Sequence, residues 1–234
     1  MPIAATRRMR ARRGQASRLE ELQARIGVPY DPENPLHQEG LRELWDLSFP
    51  GTPCPGLKDE QWKEMGWQNA DPTSDFRAAG LLGLDNLCHL GRAQPALFAA
   101  LRGKTRGARS SWEYPFGAAG VNITWLLVEL LQLQQGGGPG GGDGGDSGGG
   151  AVAATAAGRG FLGLLGADGA AFEEVYCATF DLLDRVWLER RATYMEFNSV
   201  LKDVRERVRR GLASGPRDAA ALRGALGLPA LGAR

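Results

Sequence analysis

One arginine of this chain lies where a helix would not favour it. Arg77 follows the acidic turn segment at residues 71–75 (DPTSD) and precedes an apolar run. Pro72 keeps the residue before it out of the α region, so the chain must turn before a helix begins. Thr73 and Ser74 are predicted to cap that helix, which places Arg77 in or just before its first turn. Because a helix N-terminus already carries partial positive charge, we do not expect Arg77 to stabilise it.

Two interpretations of Arg77 are open from the residues alone. The arginine can form an internal salt bridge with Asp71 or Asp75 that ties down the turn. Alternatively, its guanidinium can act on a partner, since this group offers a planar, permanent charge with several donors. The nearby Trp67 has two interpretations as well. It packs beneath Arg77 or it faces a partner, because aromatic side chains are enriched in both cores and interfaces.

The elements that must position these residues are helical. Helical spacing of apolar residues over residues 172–187 and 197–208, with no alternating strand pattern, predicts an all-α fold. Helix signals punctuate the rest of the chain: capping boxes at residues 17–20 and 193–196, Asn34 before Pro35, Gly27 as a stop, and a short helix from Lys58 to Met65 that ends at Gly66. Apolar runs at residues 80–90 and 121–133 are predicted to lie deep in the core.

The 234 residues form one compact multi-helix domain in this interpretation, since the length suffices for a single well-packed core. The helical domain is predicted over residues 17–212. A glycine-rich loop insertion at about residues 136–160 interrupts it, and we expect this segment to be disordered because glycine-rich chain buries little apolar surface. A basic disordered tail is predicted at residues 1–16 and a loosely ordered tail at residues 213–234.

The composition excludes several classes of protein. A net charge of +1 argues against a strongly basic nucleic-acid binder. The three cysteines, Cys54, Cys88 and Cys177, form no CxxC pair, so neither a metal site nor a disulfide framework is expected. No apolar run is long enough to cross a membrane. We therefore expect a cytoplasmic protein that needs no metal and no cofactor, with at most peripheral membrane association.

Two short nucleotide-binding patterns are interpreted as chance matches. Residues 158–163 (GRGFLG) fit a GxGxxG pattern but follow a glycine-rich run rather than a strand. Residues 103–105 (GKT) resemble the end of a P-loop, but Phe98 stands at the first glycine position. The histidines His37 and His89 are isolated in helical segments, and no sequence spacing pairs either of them with an acidic residue. The chain is thus not expected to bind nucleotide itself.

Several ordered blocks resemble the ELMO (engulfment and cell motility) family, over roughly residues 36–212. The similarity is closest to its short single-domain members of plant and algal type. The blocks are Leu44-Trp45-Asp46 with Phe49-Pro50-Gly51; Trp62, Gly66, Trp67, Gln68, Asp71-Pro72, Asp75-Phe76-Arg77 and Gly80-Leu81-Leu82; Tyr114-Pro115-Phe116 with Val121-Asn122-Ile123-Thr124; and Tyr176-Cys177, Asp184 to Glu189 and Tyr194 to Asn198.

The resemblance implies a GTPase-activating protein for Arf or Arf-like small GTPases, with Arg77 as the essential catalytic arginine. Partner-binding residues would be Trp67, Gln68, Asp71 and Asp75. The two aspartates would orient Arg77, and Gln68 would order the loop or touch the switch region of the GTP-bound partner. Magnesium would come with the GTPase. Any membrane association would run through the GTPase or through the basic N-terminus.

The resemblance also leaves an alternative and contains two departures. In larger ELMO proteins the domain belongs to a non-catalytic scaffold that helps an exchange factor activate Rac-type GTPases and regulates the cytoskeleton. We expect no room for such extra domains in this chain. The family usually has glycine where this chain has Asn69 and Ala78. Asparagine tolerates the left-handed region, whereas alanine at position 78 predicts a stiffer loop around Arg77.

Overall fold

The computed structural model describes residues 3–77, 79–103, 114–134 and 149–231, with side chains from residue 13 onward. The described residues contain no β-strand, which confirms the all-α prediction. The helices are α1 (Ile3–Arg25), α2 (Pro35–Ser48), α3 (Gly80–Ala93), α4 (Pro95–Arg102), α5 (Phe116–Leu130), α6 (Gly149–Ala154), α7 (Ala156–Ala167), α8 (Ala171–Arg190), α9 (Phe197–Ala213) and α10 (Ala219–Ala225). Short 3-10 helices span Glu60–Met65, Pro72–Arg77 and Tyr194–Glu196.

The centre of the domain is formed by α3, α5 and α8. The tyrosine Tyr176 on α8 is fully buried, and Phe180 one turn later stacks on Phe116 of α5 with ring centroids 5.3 Å apart. On one side, α2 packs against α3. Trp45 of α2 meets Trp62 edge to face at 5.0 Å, and both rings are fully buried. These aromatic contacts join the helices into a single hydrophobic core.

The cap signals in the sequence are confirmed where they begin or end a helix. Asn34 accepts a hydrogen bond from the Leu36 backbone N–H at 3.0 Å, and a proline follows it at the first position of α2. Gly66 adopts φ +80° at the end of its 3-10 helix. Thr193 and Glu196 form the predicted capping box before α9.

The first helix begins earlier than the sequence predicts. Ser17 was expected to cap it, with a disordered tail before it, but α1 begins at Ile3. Ser17 lies inside the helix, where its hydroxyl donates to Glu21 Oε1 at 3.0 Å. The arginines and alanines before Ser17 are good helix formers, and the helix continues through the one glycine of this stretch, Gly14. The predicted stop is correct, since Gly27 follows α1 with φ +83°.

The glycine-rich insertion is shorter than predicted. Residues 135–148 lie outside the described residues, but residues 149–160 fold into α6 and the first part of α7. Val152 and Phe161 are fully buried there. Gly160 lies against α9 so closely that an added Cβ would come within 1.9 Å of the Leu212 carbonyl oxygen. The small residues that suggested disorder permit close packing of α7 on α9.

The C-terminal segment is also packed rather than loosely ordered. Leu222 on α10 is fully buried, and Arg223 beside it is 5% exposed. The Arg223 guanidinium donates to Asp181 Oδ2 on α8 at 2.6 Å. This buried ion pair fixes α10 to the centre of the domain. Among the described residues, no helix is both long and apolar enough to cross a lipid bilayer.

Candidate functional site

The predicted site lies on a loop, residues 66–80, which we call the arginine loop. Its middle forms the 3-10 helix Pro72–Arg77, and α3 begins only at Gly80. Arg77 is therefore the last residue of a 3-10 helix and lies just before α3, which is one of the two positions predicted for it. The predicted capping of that helix by Thr73 and Ser74 is wrong, since α3 begins at Gly80. The reason is local. Asp71 accepts the backbone N–H of Thr73 at 3.0 Å, so the short 3-10 helix begins directly after Asp71. Thr73 and Ser74 lie inside that helix and therefore do not cap a longer one.

The Arg77 side chain is exposed. None of the described residues forms an ion pair or a hydrogen bond with it. The internal salt bridge to Asp71 or Asp75 is thus not formed, because both carboxylates bind other groups. The neighbouring Ala78 and its predicted stiffening effect lie outside the described residues.

Asp71 binds within the loop and to a lysine outside it. One carboxylate oxygen accepts from the Thr73 backbone and hydroxyl, and the other forms an ion pair with Lys58 Nζ at 2.9 Å. Partial burial raises the pKa of Asp71, but the hydrogen bonds from Lys58 and Thr73 lower it by more. The pKa therefore lies below the usual range, and the carboxylate stays charged at neutral pH.

Asp75 holds the other side of the loop. Its Oδ2 accepts the backbone N–H of Gln68 at 3.0 Å, while the Gln68 side chain is exposed. The Asn69 side chain donates to the Ser74 hydroxyl at 3.2 Å. These bonds connect the start of the arginine loop to its 3-10 helix. Neither aspartate orients Arg77 directly; both shape the backbone that carries it.

Trp67 lies in the core beneath the loop. Its side chain is only 4% exposed and meets Phe76 edge to face at 5.4 Å. An added Cβ on Gly117 of α5 would come within 2.6 Å of the indole ring, so a glycine is needed there. Of the two interpretations of Trp67, the structure shows packing in the core. A role in direct partner binding is not available to this buried ring.

Both ends of the arginine loop are fixed by glycines that touch backbone. Gly66, at φ +80°, would place a Cβ 2.6 Å from Pro115 at the start of α5. Gly80, at φ +58°, would place one 2.3 Å from the Val28 carbonyl oxygen. That carbonyl accepts the N–H of Leu81 at 2.8 Å. The loop is therefore attached to the chain before α2 and to α5, with Arg77 projecting between these attachments.

Several residues that support the site have no local sequence signal that connects them with it. Lys58 lies 13 positions before Asp71, and no local pattern connects them. Tyr30 packs on Phe76 at 5.7 Å from the segment before α2. Gly117 carries a detectable signal only as one glycine at the start of an apolar helix. Within the described ranges, no cluster of potential metal ligands occurs.

His89 lies away from this loop and has an acidic neighbour that the sequence did not indicate. Its Nε2 is 3.4 Å from Glu174 Oε1, and the same carboxylate accepts from Gln94 at 3.3 Å. Since α3 and α8 bring these residues together across more than eighty positions, no sequence spacing connects them. The contact joins two core helices at a half-buried edge and holds no nucleophile.

Comparison with known proteins agrees with the blocks in the sequence. The ELMO/CED-12 family model matches residues 20–201, which include the arginine loop. ELMO domain-containing protein A of Dictyostelium discoideum is 35% identical over 207 residues, covering 86% of this chain and 21% of that protein. ELMO domain-containing protein 1 of Mus musculus is 39% identical over 118 residues, covering 44% of this chain and 36% of that protein.

A third relative, engulfment and cell motility protein 3 of Bos taurus, is 27% identical over 215 residues, covering 86% of this chain and 30% of that protein. The chain spans about a fifth to a third of the length of the curated relatives that it matches. The helical architecture, the ordered blocks and the match over most of the chain lead to one conclusion: this protein belongs to the ELMO/CED-12 family.

Proposed function

We propose that this protein activates GTP hydrolysis by a small GTPase of the Arf or Arf-like class. Arg77 supplies a guanidinium to the partner's active site, and the exposed Gln68 side chain contacts the partner beside it. The single observation that carries the proposal is the state of Arg77. It is an exposed arginine on a rigidly attached loop, and the two nearest acidic residues in the sequence bind other groups.

The chemistry of GTP hydrolysis explains why such an arginine is useful. Water attacks the γ-phosphate, the bond to the β-phosphate oxygen breaks, and negative charge develops on the phosphate oxygens. A guanidinium inserted in trans stabilises that charge and raises the rate by about three to five orders of magnitude. The arginine must reach the phosphates with its charge unpaired and its N–H donors free. An arginine already paired with Asp71 or Asp75 would first have to break a salt bridge.

The supports of the loop fit the same function. A catalytic group must be held close to its productive geometry before the partner arrives, because disorder in it reduces the rate. Asp71 and Asp75 fix the backbone on either side of the 3-10 helix, and Trp67 with Phe76 fills the space beneath it. No cofactor is needed from this chain, and the magnesium ion would be bound by the GTPase together with its nucleotide.

The experiment measures single-turnover GTP hydrolysis by a panel of Arf, Arf-like and Rac-type GTPases, each with and without this protein. We expect stimulation of one or more Arf-like members by at least about a thousandfold. Arg77→Ala should remove it. Arg217→Ala, which changes an arginine that is 90% exposed, is the matched control and should keep full activity.

The same panel tests the scaffold function. If the protein binds a GTPase but accelerates hydrolysis in no member of the panel, the proposed catalytic role of Arg77 is wrong. Nucleotide exchange on the Rac-type members, measured with an exchange factor present, then distinguishes a scaffold from an inactive binder. Stimulation that survives Arg77→Ala contradicts the proposed role of this residue.

A further inference from the structure

Two large apolar side chains protrude side by side from the turn between α8 and α9. Met195 is 89% exposed and Tyr194 is 66% exposed. The other exposed large hydrophobic side chains in the described part of the chain, Leu36 and Leu231, each stand apart in sequence. Single scattered apolar residues at a surface are ordinary, whereas this adjacent pair forms a small continuous apolar patch.

The turn holds this pair outward. Thr193 and Glu196 form a capping box, in which the Thr193 N–H donates to Glu196 Oε2 at 2.8 Å. Ala192 before it is fully buried, and Phe197 after it packs on Trp187 at 6.0 Å. Because residues on both sides are fixed in the core, Tyr194 and Met195 cannot turn inward without breaking these contacts.

A line of cations continues from Met195 along α9. Lys202 and Arg209 are seven residues apart, which is close to two helical turns, so their side chains lie on one face of α9. Met195 lies seven residues before Lys202, in the 3-10 turn that leads into this helix. All three are exposed, and Arg205 flanks the line. The opposite face of α9 packs into the core through Val204 and its neighbours one turn away. We call the exposed residues Tyr194, Met195, Lys202, Arg205 and Arg209 the basic face.

The acidic residues of α9 are already paired. Asp203 binds Arg190 at 2.8 Å and Arg207 at 3.1 Å. Glu206 binds Arg209 through two hydrogen bonds of 2.8 Å. Residues 189–210 contain seven lysines and arginines against four acidic residues, a net charge of +3, while the whole chain carries +1. Neither Lys202 nor Arg205 has an ion-pair partner among the described residues.

We infer that the basic face binds a negatively charged lipid surface. Met195 and Tyr194 would enter the boundary between headgroups and acyl chains, while Lys202 and Arg205 contact the lipid phosphates. The arrangement favours a membrane over an acidic protein. A protein interface usually has its apolar anchors at the centre of a polar rim, whereas here the apolar pair lies at one end of a cationic line. The cationic side chains can contact the charged headgroup surface while the apolar pair at their end inserts below the headgroups.

The test uses the full chain and vesicles of phosphatidylcholine with or without phosphatidylserine, separated by sedimentation. We expect binding to the anionic vesicles, lost at high salt. Each cation near an anionic surface contributes about a fivefold change in partitioning. The double variant Lys202→Glu with Arg205→Glu should therefore weaken binding by at least about 25-fold. Arg42→Glu with Lys63→Glu makes the same charge change elsewhere and should leave binding nearly unchanged.

A second variant, Tyr194→Ser with Met195→Ser, tests the apolar end. It should weaken binding to anionic vesicles even at low salt, and thermal melts verify that each variant is folded. Wild-type binding by the Lys202/Arg205 double variant overturns the inference. Absence of vesicle binding by the wild type also overturns the inference. If the Lys202/Arg205 double variant then loses GTPase binding, the basic face is assigned to a protein partner. This test does not depend on the activity of Arg77.

Discussion

Acidic residues often pair with a nearby arginine, but in this molecule Asp71 and Asp75 bind the loop that carries Arg77. Asp75 accepts a backbone N–H at the start of the arginine loop, and Asp71 closes the 3-10 turn while binding Lys58. Each carboxylate satisfies donors that would otherwise be lost in a tight turn. The consequence is an exposed Arg77 with a fixed base. Its charge is available for a partner, and its backbone does not have to be ordered when that partner binds.

At this scale, we predict that Asp71→Ala lowers the free energy of unfolding by about 1 kcal/mol, the usual cost of losing a side-chain cap. GTPase stimulation should fall as well, because the base of Arg77 loosens. Lys58→Ala is the partner variant and should have a smaller effect, since that lysine is exposed and the Thr73 bonds remain. Urea melts measure both. An unchanged melt and full activity for Asp71→Ala would show that the loop is held without this carboxylate.

The pKa of Asp71 gives this interaction a definite pH dependence. Because the pKa is lowered in the folded state, the stabilisation is fully present above the pKa of an unfolded aspartate, about 3.9. It is lost as the pH falls through the folded value. The wild type should therefore lose stability relative to Asp71→Ala in this acidic range, and the two melts should converge. Divergence on acidification would contradict the assignment.

At the scale of elements, the loop and the helices meet through glycines that touch backbone. Gly80 combines φ +58° with a Cβ position only 2.3 Å from the Val28 carbonyl oxygen. Gly163 on α7 is exposed and has open space around its Cβ position. The sequence alone does not show that the surroundings of these two glycines differ. Their surroundings make opposite demands on a substitution.

Gly80→Ala should therefore destabilise the protein by at least about 2 kcal/mol, through left-handed backbone strain and a clash that backbone atoms cannot relieve. Gly163→Ala should stabilise it by up to about 1 kcal/mol, because alanine is the better residue in a helix interior. Denaturant melts of the two variants measure the contrast. Equal effects of the same sign would show that the close approach at Gly80 is not needed by the fold.

At the scale of the whole molecule, the sequence predicted the elements with strong periodicity and clear caps. The helices α2, α3, α5, α8 and α9 have apolar faces that local spacing alone reveals. The helix α6, the start of α7 and all of α10 were missed because their residues are small and interrupted by glycine. What orders them is contact with distant elements. Gly160 lies against Leu212, and Arg223 pairs with Asp181 across 42 positions. No local pattern contains that information.

The candidate site divides in the same way. The position of Arg77 in an acidic turn was predictable, since proline, aspartate and serine have strong local preferences. The absence of a salt bridge from Arg77 to either aspartate was not predictable, because Lys58 and the Gln68 backbone bind those carboxylates instead. The burial of Trp67 was left open by the sequence and is decided by Gly117 on another helix. Local chemistry therefore located the site, and tertiary packing determined which side chains are exposed.

The buried ion pair between α8 and α10 tests the revised C-terminal boundary. Arg223→Ala leaves the Asp181 carboxylate, fully buried, with a weaker contact to Arg185 at 3.3 Å. We expect a loss of about 3 kcal/mol in the free energy of unfolding, the usual cost of breaking a buried pair. Arg217→Ala changes an arginine that is 90% exposed and should be nearly neutral. A neutral Arg223→Ala would mean that α10 is dispensable for the core.

In the proposed function, Arg77 stabilises charge in the transition state of GTP hydrolysis. Single-turnover hydrolysis by the responsive Arf-like GTPase, measured with wild type, Arg77→Ala and Arg77→Lys, tests it most directly. Both variants should melt like wild type and lose at least about a thousandfold in stimulated rate. Lysine should not rescue, because it keeps the charge without the planar fork. Full stimulation by either folded variant would contradict the account.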